Sequence, residues 1–103
     1  MSTTVTDADA HPVHGNPVTT IAELDTLDSD EMYEGFRDGF AGEPEPGGNR
    51  SRAYWHGWRN GAVDGGHRQK DAAQAILAAA VYREMTSAAR RRAHIAQQAK
   101  AEA

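Results

Sequence analysis

Four glycines set the terms on which this chain can fold. Gly35 and Gly39 lie four apart in "MYEGFRDGFA", and Gly57 and Gly61 lie four apart in "RAYWHGWRNGAVD". Both stretches otherwise have helical periodicity and carry aromatic rings. An interior helical glycine costs about 1 kcal/mol relative to alanine, so the four together cost about 4 kcal/mol. A small domain has a net stability of only about 5–10 kcal/mol, so something must offset that loss. A spacing of four puts both glycines of a pair on one helix face and leaves a strip with no side chains. The spacing predicts two short helices in close approach, a tight hairpin whose core is Gly35, Phe36, Gly39, Phe40, Tyr54, Gly57, Trp58 and Gly61. The large rings of each helix are expected to lie across the bare strip of the other. Small residues are best known to admit close helix packing in membranes, and the same geometry applies to a soluble pair.

The flanking residues supply starts and stops. Asp28 is a good N-cap, with Glu31 three positions on as in a capping box, and Gly42 suits the position after the helix end. The segment "GEPEPGGN" cannot continue a helix. Asn49 or Ser51 caps the second helix, which runs to about Val63 before "DGG" stops it. From about Arg68 the chain is alanine-rich and nearly free of breakers, which predicts one long amphipathic helix, fraying beyond Arg92. Its apolar stripe holds Ala73, Leu77, Val81, Ala88 and Ile95, flanked by Ile76, Ala80 and Met85. That stripe either packs on the hairpin or meets a protein partner or a second copy; no heptad pattern runs far enough to specify a coiled coil. Residues 1–27, rich in Ser, Thr, Asp and Pro, read as a disordered acidic arm with at most a helical turn in "VTTIAELDTL". The expected chain is therefore all-α, in three parts: arm 1–27, hairpin 28–66 and long helix 67–103.

Charge divides unevenly. Residues 1–49 hold eleven acids and one base, whereas residues 50–103 hold ten bases and four acids. Such polarity fits an acidic arm on a basic, nucleic-acid-facing body. The basic candidates are Arg50, Arg52, His56 and Arg59, the last three on one face of the second helix. Trp55, at the border of the apolar arc, offers a ring to an unstacked base and is within reach of Arg59. Arg90, Arg91 and Arg92 form the densest positive charge. They fan round their helix, which suits loose phosphate attraction better than a shaped pocket. Each group has a plainer reading as a solvated face or helix end.

Other classes find little support. The absence of cysteine excludes disulfides and thiol chemistry. The five histidines have no ligand-like spacing, so no metal or cofactor is expected. No nucleophile–base pair or carboxylate cleft is visible, and Gly65 with Gly66 is ordinary helix punctuation, so the chain is not expected to be an enzyme. No apolar run approaches the ~18 residues of a membrane span. The first 20 residues lack the basic start and apolar run of a secretory signal, and a cytoplasmic protein is expected.

The sequence "YEGFRDGFAG", followed after a short loop by "NRSRAYWHGWRNGAVD", resembles the ribosome modulation factor family. The likeness covers about residues 31–66. It is carried by Gly35, Phe36, Gly39 and Gly42 in the first helix, and by Asn49, Ser51, Arg52, Tyr54, Gly57, Trp58, Arg59 and Asp64 in the second. The resemblance implies a small helical protein that binds the small ribosomal subunit near the end of its rRNA, restrains translation in slow growth and catalyses nothing. The chain departs from that pattern in its acidic start, in "EPEPGGN" where the family has a Cys-Pro-Tyr loop, and in its extra alanine-rich helix. The expected function is ribosome or rRNA binding of the hibernation type. The alternative is a protein-interaction adaptor, bacterial or phage-encoded, built on the same hairpin. A small phosphotransferase-like enzyme, a role claimed for some relatives, stands a distant third.

Overall fold

The computed structural model describes residues 14–102. Among them the chain is all-α, with helices α1 (Ile21–Leu24), α2 (Ser29–Phe40), α3 (Arg52–Asp64) and α4 (Ala72–Glu102). Asp28 caps α2 by accepting the Glu31 N–H at 3.0 Å, and Ser51 caps α3 by accepting the Tyr54 N–H at 3.1 Å. Glu31 does not reach back to complete a capping box. Its carboxylate instead accepts the Ser51 hydroxyl, so the caps of the two hairpin helices are tied together. Gly42 and Gly66 end their helices with φ of +88° and +81°, a region open to glycine at no steric cost.

The hairpin has the glycine-to-helix approach that the spacing predicts, but backbone occupies the strips where rings were expected. A Cβ on Gly35 would fall on the Tyr54 carbonyl group, and one on Gly39 on that of Trp58. In return, a Cβ on Gly57 would strike the Met32 carbonyl and one on Gly61 that of Phe36. The strips face one another, so main chain rests on main chain. The rings are displaced to the flanks. Tyr54, Trp58 and Ala62 form the buried cluster. Phe36 is half-buried and stacks on Phe40 with ring centroids 6.2 Å apart, while Phe40 is 53% exposed and is not a core residue. Bare strips on both helices bring the backbones too close for a phenyl ring to fit between them.

Two boundaries differ from expectation. The arm assigned to disorder is structured from His14 onward: Val18 is 2% exposed, and Thr20 caps α1 by accepting the Glu23 N–H at 3.1 Å. Residues 1–13 lie outside the described residues. The long helix starts at Ala72, four residues later than its composition implied, because Asp71 and Gln74 form a reciprocal capping box at 2.9 and 3.0 Å.

Only the beginning of α4 packs on the body. Ala73, Gln74 and Leu77 are buried, and every residue from 89 to 102 is exposed. At 1.5 Å per residue its 31 residues extend about 46 Å. The described chain is accordingly elongated, 59 × 34 × 25 Å. No helix of the described residues is long and apolar enough to cross a membrane.

Candidate docking groove

The arginine face of α3 is largely closed. Arg59 is 2% exposed and its guanidinium pairs with Asp71, which Arg68 also approaches at 3.7 Å. Burial pushes the Asp71 carboxyl up, but the Gln74 N–H and the two guanidiniums outweigh it and hold the group below its ordinary 3.8. Trp55, expected at the border of the surface, is buried. His14 stacks on it at 5.1 Å, Arg59 lies over the ring at 5.0 Å, and its Nε1 donates to Glu45 at 2.9 Å. His56 is buried too. Trp55 and Arg59 are therefore not available to a nucleic acid in this structure, because segments on either side of the hairpin fold over them, and His56 is packed down against the hairpin.

Arg50 and Arg52 keep 39% and 34% of their side chains in solvent and are already engaged with acids. Arg50 meets Glu34 at 3.4 Å and stacks over Tyr54 at 4.2 Å. Arg52 donates to the Asn16 carbonyl at 2.7 Å and approaches Glu23 at 3.8 Å. Arg90, Arg91 and Arg92 are exposed on the free part of α4, with Arg91 3.7 Å from Glu84. The chain thus gathers Arg52, Trp55, His56 and Arg59 on one helix, with Arg50 just before its cap, and sets the three consecutive arginines apart on another. Of the hairpin glycines, Gly35, Gly39, Gly57 and Gly61 are buried where the two helices meet.

The open feature is a groove of about 700 Å³ where the hairpin and α4 diverge. Leu24 and Met32 line it on one side, Leu77, Val81 and Met85 on the other. Its polar lining is a linked row. Gln74 donates to the Asn60 side-chain carbonyl at 2.9 Å, and the Asn60 amide faces His56 Nε2 at 3.3 Å. Since Asn60 accepts with its oxygen, its nitrogen is the donor to His56, which places the proton of the neutral imidazole on Nδ1. Nδ1 is buried with no hydrogen-bond partner. An apolar trough with a few fixed polar groups suits a helical or peptide ligand better than it suits chemistry.

His56 also makes a pH sensor of the groove lining. Burial, then the charges of Arg59 and Arg52, lower its pKa below 6.5. The unfolded chain therefore binds the proton more readily, so stability is complete above about 6.5 and falls as the pH drops toward the lower folded value. Thermal melts between pH 7.5 and pH 5 should show wild type losing stability on acidification and His56→Gln losing distinctly less. Parallel curves would assign the acid sensitivity elsewhere.

Sequence reasoning missed the groove-lining residues Leu24, Met32, Val63 and Gln74. One signal was present: α2 and α3 have 12 and 13 residues, α4 has 31, and an apolar stripe that outruns the body it packs on has a surplus face. Comparison with protein-family models, curated proteins and solved structures finds no match.

Proposed function

We propose that this chain is a non-enzymatic docking protein, an adaptor in which a rigid glycine hairpin holds α4 out as the contact element. One observation carries the reading. Tyr82, Met85 and Ile95 are 71%, 64% and 64% exposed, on a helix whose stripe is continuous with the groove. Exposed apolar surface of this kind, rimmed by charge, marks interaction sites. A photo-crosslinking side chain at Tyr82 should give a protein adduct in cells producing the chain, and one at Arg37, on α2, should not. Absence of an adduct at Tyr82, or equal labelling from Arg37, would overturn the reading.

A second reading is restraint of translation through rRNA. It draws on the resemblance of residues 31–66 to the ribosome modulation factor family and on the exposure of Arg90, Arg91 and Arg92. On this reading the contact moves from the hairpin to distal α4, and reversing the three arginines to glutamate abolishes co-sedimentation with ribosomes. Under the docking reading, wild type itself does not co-sediment at physiological salt.

A further inference from the structure

We propose that the groove is filled by the distal half of α4 from a second copy of the chain, in an antiparallel two-fold pair. The proposal rests on the docking reading and names its partner.

The stripe supplies the first reason. At about 100° per residue, Leu77, Val81, Ala88 and Ile95 fall within an arc of about 40° on α4. Leu77 and Val81 line the groove of their own chain, whereas Ala88 and Ile95 lie beyond it. One helix thus carries both a half-filled trough and the ridge that would fill it. Antiparallel pairing lays the distal ridge of each copy along the trough of the other, satisfying both needs twice in one isologous contact. Parallel pairing would leave both troughs empty.

Charge gives the second reason. Residues 86–102 hold four bases and one acid. Antiparallel pairing keeps the two arginine clusters apart, while parallel pairing would set them side by side. An axis between Ser87 and Ala88 places Glu84 opposite the second copy's Arg91, twice over. Those two residues already lie 3.7 Å apart within one chain, so the pair exchanges partners with little rearrangement. The small side chains of Ser87 and Ala88 let the helices approach closely at the axis.

The test is sedimentation equilibrium of the full chain. Twice the chain mass of 11.1 kDa is expected for wild type. Ile95→Glu should weaken the dimer at least tenfold without loss of helicity, since Ile95 is 64% exposed in the single chain. Glu84→Arg should weaken it, and Glu84→Arg combined with Arg91→Glu should restore it. The chain has no cysteine, so single introduced thiols report the register. Ala88→Cys should link two copies under oxidation and Ala80→Cys should not. A monomer at all concentrations, an unaffected Ile95→Glu dimer, or equal linking from Ala80→Cys would each overturn the proposal. A monomer whose Tyr82 probe still labels a different protein would sink the self-pairing and leave the docking reading standing. A monomer with no adduct would end both.

Discussion

Gly57→Ala is expected to take the hairpin apart. In an ordinary helix interior the same change gains about 1 kcal/mol, because alanine is the better helix former. Here the added Cβ would land on the main-chain carbonyl of Met32. No rotamer change relieves a clash with backbone, so α2 and α3 must separate along their length. Overpacking typically costs about 1–3 kcal/mol even where side chains can move aside. A net loss of at least about 3 kcal/mol is therefore expected, out of a total of about 5–10 kcal/mol for a small domain. Gly47→Ala is the control, since the nearest atom to a Cβ there is the Asn49 side-chain oxygen at 3.8 Å. Melting temperatures of both variants check the claim. A Gly57→Ala protein as stable as wild type would mean that the strips do not touch.

Asp71→Asn should be nearly as damaging, for an electrostatic reason. Asparagine still caps α4, so the helix start is preserved and only the charge is removed. Arg59, 2% exposed, is then left buried with no anion against it. Breaking a buried pair in this way costs about 3–5 kcal/mol, because the surviving charge keeps its desolvation penalty. Chemical denaturation at neutral pH measures the loss. The pair also has an acid limb. Asp71 has a folded pKa below 3.8, so its contribution is complete above that value and is lost as the pH falls through the folded one. The same reasoning makes Arg59→Glu a folding variant before it is a binding variant. Arg90 and Arg92, exposed on free helix, are the cleaner probes of phosphate attraction.

The hairpin was legible in the sequence because its determinants are local. Asp28, Ser51 and Gly42 act within four residues of where they stand, and a glycine spacing of four states which face is bare. The spacing does not state what lies on that face. Rings and backbone both satisfy it, and the choice of backbone followed from both helices carrying a strip at matching height. The fate of Arg59 was not legible, because its partner is twelve residues away beyond the Gly65–Gly66 turn and Asp71 has an adequate local role as a cap. Trp55 was misplaced for a related reason. Pro17, Thr19 and Thr20 read as disorder, yet α3 offers His14 a ring to stack on and offers Arg52 to the Asn16 carbonyl. The surplus length of α4 was visible in the residues. Its consequence, an open groove, needed the divergence of α4 from the hairpin.

Covering Arg59 from a later part of the chain has a kinetic consequence. α2 and α3 are joined by only eleven residues, 41–51, so their pairing closes a short loop and belongs among the fast events of folding. All of that pairing is encoded by residue 64. Asp71 comes later, both along the chain and in order of synthesis. A hairpin that forms first therefore does so with the Arg59 guanidinium still hydrated, and water is expelled from it only when residues 67–74 cross α3. That sealing is the late step, taken after the barrier has been crossed. A chain ending at Asp64 would reach the same helix pairing at nearly the same rate and would then unfold faster, since the contacts it lacks form after the barrier.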